Sequence, residues 1–217
     1  MNSKTKQLVT LAMLTAMAYI VGLYRVRFMG AAPFLSYDAK DVIIVLGGLM
    51  FGPIAALTMS VVLAALEMIT HSATGVLGML MNSISSAAFA CVIAYIYQLN
   101  RTMKGAVLGI VAGVLVATGT MLLWNYLVVP FYTGWPREQV VDLLLPAFLP
   151  FNLIQFSLNG AFVLLVYKPI VMTLKTAGLY SPSQTKAGSK LNIGLMIFAG
   201  FTALSLCLLI IVLRGNM

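Results

Sequence analysis

Runs of apolar residues long enough to cross a bilayer recur along the whole chain, and no other feature narrows its fold so far. A membrane-spanning helix needs about 20 such residues. The runs are 8–26, 42–69, 76–97, 103–128, 146–174 and 191–213. The second, with 28 residues, is too long for one simple span, and it contains Gly47-Gly48 and then Phe51-Gly52-Pro53. Gly-Pro marks a turn or break, so the run reads as two helices, 42–51 and 53–69, joined by a tight bend. Hydrocarbon offers no partners to backbone N–H and C=O groups, and a helix satisfies them within its own segment. The expected fold is all-α: a polytopic membrane bundle of six helices, with an extra transmembrane helix at the C-terminus. Only 8% of residues are charged, against about 25% in soluble domains.

The N-terminal MNSKTKQ leads into an apolar run too long for a signal-peptide core, so the first helix is expected to be retained. Cys91 and Cys207 both lie in apolar runs and read as small hydrophobes rather than a disulfide pair. The net charge of +8 does not point to nucleic acid, because the basic residues fall in short loops between spans. With the N-terminus inside, the inner loops hold Lys4, Lys6, Arg101, Lys104, Lys168, Lys175, Lys186 and Lys190. The outer side holds Arg25, Arg27, Lys40, Arg137 and Arg214. This eight-to-five split obeys the positive-inside rule. A rival with 42–69 as one helix and the N-terminus outside scores nine to four; the Gly-Pro break and the basic tail favour the first topology. Loops 27–41 and 129–145 are then external. The organisation expected is a six-helix core over 1–175, a flexible cytoplasmic linker over 176–190 and the added helix within 191–217.

Two stripes of small residues stand out. Gly105, Gly109, Gly113 and Ala117 recur every four residues and suit close helix packing. Ala12 and Ala16, with Ala18 nearby, make a similar stripe in the first helix. Spacing alone favours packing within the bundle over docking of a second membrane protein. There is no G-x-x-x-x-G-K-[ST], so the chain carries no P-loop of its own, and no H-E-x-x-H.

Polar residues occur at depth in three spans: Asn82, Ser83, Ser85 and Ser86; Asn125 between Trp124 and Tyr126, followed by Tyr132; and Asn152, Gln155, Ser157 and Asn159. The topology places Asn82, Asn125 and Asn152 in the outer half of the bilayer. Interhelical hydrogen bonding is one explanation. A cavity is the other, and three amides at one depth beside aromatic-rich loops favour it. Amides pair a donor with an acceptor, which suits the edge of a planar, largely neutral heterocycle, and Trp124, Tyr126 and Tyr132 can pack on its faces. A second cluster comprises Asp38-x-x-Asp41 with Glu67 and His71. It reads as a solvated rim, with Asp38 or Asp41 capping the next helix, or as a metal or acid–base site. Glu67 is deeper, where it can pair with a basic residue or line the cavity.

FLSYDAKDV, FGP at 51–53, LWNYLVVPFY at 123–132 and LPFN at 149–152 occur in an order and spacing that resembles the riboflavin-binding S components of energy-coupling factor (ECF) transporters, bacterial vitamin importers of the cell membrane. The similarity runs from about residue 5 to about 175. It implies a non-enzymatic subunit with a ligand pocket near the outer surface, partly closed by the first external loop. It implies no cofactor, riboflavin or a related flavin being the transported ligand. Its implied partners are a transmembrane coupling subunit and two cytoplasmic ATPases. The family's docking motif carries over to Ala12 and Ala16, and its ligand-contacting asparagines to Asn125, Asn152 and Asn82. The expected ligand set is completed by Gln155, Tyr126, Glu67 and Asp38. Four positions depart from the flavin pattern: Gln155 stands where a lysine is usual, Leu63-Ala64 replaces Lys-Asn, and Glu67 replaces Asn. Another planar vitamin, or a self-contained permease for a small neutral solute, are the alternatives. A metal-dependent intramembrane enzyme is a more distant one. Metal-importing S components begin Met-His, whereas residue 2 here is Asn.

Overall fold

The structure is a computed structural model that describes residues 3–27, 32, 34–70 and 74–177. The expected linker over 176–190 falls almost wholly outside these residues, and the added helix 191–213 entirely so. The helices are α1 (Ser3–Gly22), α2 (Lys40–Phe51), α3 (Pro53–Thr70), α4 (Gly75–Leu99), α5 (Met103–Thr133), α6 (Arg137–Leu143) and α7 (Leu149–Thr176). A π-helical turn, Leu144–Phe148, joins α6 to α7. Among the described residues, five helical segments are long and apolar enough to cross a membrane. The all-α bundle and its six-helix core follow the sequence reading, with α6, the π turn and α7 running on as the sixth.

The break inside 42–69 is at Gly52, whose φ of 98° favours glycine. A Cβ there would also run into the side chain of Gln98. Pro53 then starts α3, where its missing N–H leaves no helix bond unmade. The two helices fold back on each other. Gly47 lies against the Met59 side chain, and a Cβ on Gly48 would sit 3.0 Å from the Cβ atoms of Ala56 and Ala94. At 12 residues α2 is about 18 Å long, too short to span. It is buried from Lys40 to Met50 and forms the centre of the bundle.

The glycine stripe of α5 packs on α4 as its spacing predicts. A Cβ on Gly109 would approach the Ile93 carbonyl to 3.1 Å, and one on Gly113 the Phe89 carbonyl to 3.1 Å. Phe89 and Phe156 stack behind this seam with ring centroids 5.2 Å apart. The alanine stripe of α1 behaves otherwise: Ala12 and Ala16 are exposed, while Ala18 and Leu14 are buried. Packing within the bundle, the reading favoured by spacing, does not hold for them.

The expected external loop 129–145 is mostly helix. Inside the helix, Pro130 removes one backbone bond, yet α5 continues to Thr133, as neighbouring contacts allow in membrane helices. It ends at Gly134, whose N–H reaches the Pro130 carbonyl and whose φ is 72°. Pro136 caps α6, and Glu138 in its first turn suits the helix dipole. The π turn contains Pro146, a residue with no N–H to give to the ladder.

Candidate ligand-binding site

A cavity of about 330 Å3 opens where the loop after α1 meets the start of α2, the ends of α3 and α5, and the starts of α4 and α7. Asn82, Asn125, Asn152, Gln155, Glu67 and Asp38 all line it. The six residues come from five different segments, so only folding brings them together. Tyr126 is not among the lining residues; its ring lies 5.5 Å beneath the Arg137 guanidinium. Trp124 is also off the cavity, in the main apolar core. Of the three aromatics proposed to pack on a ligand, Tyr132 alone lines the cavity.

One wall is ionic. Lys40 Nζ donates to Glu67 Oε1 at 2.9 Å and Oε2 at 2.8 Å, and lies 3.5 Å from Asp38 Oδ2. Asn82 Nδ2 donates to Glu67 Oε2 at 3.1 Å, and an Arg25 nitrogen approaches Oε1 at 3.7 Å. Glu67 is 2% exposed. A carboxylate so deep demands such company, because an unpaired buried charge is strongly destabilising. Asp41 does not cap α2 with its side chain, as one sequence reading had it. Ala39 holds the cap position, and the Asp41 carboxylate accepts from Ser86 Oγ on α4. Asp38 Oδ1 receives the Lys40 N–H at 3.4 Å. The solvated-rim reading does not hold for Asp38 and Asp41, which are buried, whereas Glu67 lies deep, pairs with a basic residue and lines the cavity, as its position in the sequence suggests. Nor is the cavity free of charge: Asp38, Asp41 and Glu67 face Arg25, Arg27 and Lys40, three against three. Among the described residues no three His, Cys, Asp or Glu side chains converge as a metal site, and His71 lies outside those residues.

The other wall is amide. Asn125 is 1% exposed, and among the described residues its Nδ2 has no hydrogen-bond partner, as holds also for Ser83 Oγ and Thr118 Oγ1. Most buried amide groups are paired, and of these three residues Asn125 alone lines the cavity. Asn152 Nδ2 donates to the Phe148 carbonyl at 2.7 Å, which leaves its oxygen to accept from elsewhere. Gln155 sits one turn further on, half-buried.

The loop between α1 and α2 closes over this end. Val26 and Tyr37 exchange two backbone bonds, at 2.9 and 2.8 Å. Phe34 is inserted among Tyr132, Trp135 and Phe148, with centroid distances of 5.6, 5.7 and 6.0 Å. Asn159 pins the loop from below: it accepts from the Tyr37 hydroxyl at 3.0 Å and donates to the Asp38 carbonyl at 3.2 Å. Burial, reinforced by Asp38 and Asp41, raises the Tyr37 phenol above its ordinary pKa, so it remains a donor. Asn159 is thus glue between a helix and a loop rather than between two helices. Sequence reasoning missed Phe34 and the role of Lys40; DAKD marked a helix start but gave no sign that Lys40 turns inward to a carboxylate 27 residues away.

Comparison with known proteins agrees with this architecture. The family model "ECF transporter, substrate-specific component" matches residues 6–171. The riboflavin transporter FmnP of Bacillus subtilis (strain 168) is 27% identical over 181 residues, which cover 79% of this chain and 93% of that protein. The riboflavin transporter RibU of Staphylococcus aureus (strain TCH60) is 25% identical over 178 residues, 79% of this chain and 94% of that one. A solved structure described as "Structure and mechanism of the S component of a bacterial ECF transporter" aligns with a TM-score of 0.69 and 26% identity, covering 79% of this chain and 99% of its own.

Proposed function

The chain belongs to the family of substrate-specific components of ECF transporters, multi-pass proteins of the cell membrane, and on that premise we propose that it captures riboflavin outside the cell. The observation that carries the reading is the convergence of Asn82, Asn125, Asn152 and Gln155, from three helices, on one cavity, with Asn125 Nδ2 unpaired among the described residues. A flavin's pyrimidine-like edge presents N–H and C=O groups to such amides. The names of the relatives support the flavin over other planar vitamins.

Asn152 and Asn125 hydrogen-bond the ligand, and Gln155 supplies a neutral donor and acceptor. Glu67 and Asp38, with the Asn82 amide bonded to Glu67, form the charged side of the pocket. Tyr126, set apart beneath Arg137, supports the end of α5 instead of touching ligand. Ala12 and Ala16 give α1 an exposed face for the transmembrane coupling subunit. Two cytoplasmic ATPases then drive reorientation and release inside. Residues 1–175 constitute the binding core, with 176–190 as linker and 191–217 as an added membrane helix.

The test is the visible absorption spectrum of the detergent-purified protein, with Asn152→Ala as its control. A co-purified yellow chromophore is expected, and the substitution should weaken flavin binding tenfold or more, about 1.4 kcal/mol. Binding unaltered in the folded variant would remove Asn152 from the site.

A further inference from the structure

Glu67 is engaged from within the protein. Both of its oxygens receive Lys40, one also receives Asn82, and an Arg25 nitrogen stands 3.7 Å from the other. Three of the carboxylate's roughly four acceptor sites are taken in this way, although the residue lines the cavity. What it does is pair with Lys40, the buried cation among the described lining residues. Lys40 is 5% exposed and is further held by Asp38. Arg25 and Arg27 also line the cavity but both are exposed, Arg25 with a nitrogen 3.7 Å from Glu67 Oε1.

We infer that Glu67 sets the ligand class: by closing off Lys40 it makes the cavity select an uncharged planar ligand over the same ligand carrying a phosphate. This rests on the flavin reading above. A phosphate ester brings a charge of about −1.5 to −2. Entering this cavity would strip its water without a free buried cation to replace it, and an unpaired charge at such a site is penalised heavily. The penalty falls on a phosphate placed beside the buried Lys40–Glu67 pair, where the local dielectric is low. Selectivity then comes from a group that rejects the competitor without touching the preferred ligand. Glu67 also holds Asn82 Nδ2, so it fixes which end of that amide faces the cavity.

The experiment titrates the full chain in detergent with riboflavin and with riboflavin 5′-phosphate, reading flavin fluorescence. The wild type should bind riboflavin at least tenfold tighter. Glu67→Gln takes away the carboxylate that pairs most closely with Lys40 and leaves Asp38 at 3.5 Å, and the ratio of the two affinities should shrink tenfold or more. The double variant Lys40→Met/Glu67→Gln removes both charges and should return the ratio to the wild-type value. Equal binding of the two flavins by the wild type, or a ratio unmoved in folded Glu67→Gln, overturns the role of Glu67 and leaves the flavin reading standing. Binding of neither flavin overturns both. The wild-type ratio requires no variant to fold, so the inference can fail on that measurement alone.

Discussion

The two walls of the cavity are both polar and both buried, yet one is closed on itself and the other is not. On the ionic side, Lys40, Glu67, Asp38 and Asn82 satisfy one another. On the amide side, Asn125 Nδ2 has no partner and Asn152 is bonded at one end only. Charges cannot be left open in the absence of ligand without threatening the fold, whereas an amide left open costs about 1–3 kcal/mol. The difference teaches which side is built for stability and charge selection and which for direct recognition.

Substitutions can break or sharpen that contrast. Lys40→Ala is expected to do the most damage, because it strands Glu67 and Asp38. A loss of about 3–5 kcal/mol should appear as a lowered unfolding midpoint in detergent. A variant as stable as the parent would show that the ionic wall is dispensable. Gly113→Val comes next, since its Cβ would sit 2.7 Å from Ile93 Cγ1. Overpacking there should remove about 1–3 kcal/mol, with ligand affinity falling only as the fold does. On the amide wall, Asn125→Ala should weaken flavin binding about tenfold, roughly 1.4 kcal/mol, without lowering stability, because its Nδ2 has no bond to lose. Parallel thermal and binding curves separate the two effects; a variant that lost stability but kept affinity would reverse the assignment of the walls. Tyr37→Phe removes one anchor of the loop and should cost about 1 kcal/mol, read as a modestly faster flavin off-rate. Ala16→Leu should change stability by less than about 0.5 kcal/mol and leave flavin binding alone, while uptake by the assembled transporter falls.

Much of the fold was legible because membrane helices write themselves as long apolar runs, and Gly52-Pro53 marked the one break inside such a run. The three asparagines at one depth were also legible, since the topology alone put them together. The register of side chains around each helix was not. Trp124 and Tyr126 flank Asn125 in sequence but point away from the cavity, because neighbours in a helix lie about 100° apart. The two small-residue stripes look alike on paper, yet Gly109 and Gly113 are sealed against α4 while Ala12 and Ala16 are exposed. Spacing says that a backbone can come close, not whose. The loop reading of 129–145 failed because Pro130 and Pro136 resemble breakers. The first is carried within α5 and the second starts a helix. The pairing of Lys40 with Glu67 joins the start of α2 to the end of α3, 27 residues on, and leaves no local trace.

The most direct test of the central claim is a titration of the purified full chain with riboflavin, following the quenching of flavin fluorescence. A polar cavity with an open amide wall predicts saturable quenching at close to one flavin per chain. Folded protein that shows no saturable quenching would contradict it, and would mean that the open valence of Asn125 awaits a ligand of a different kind.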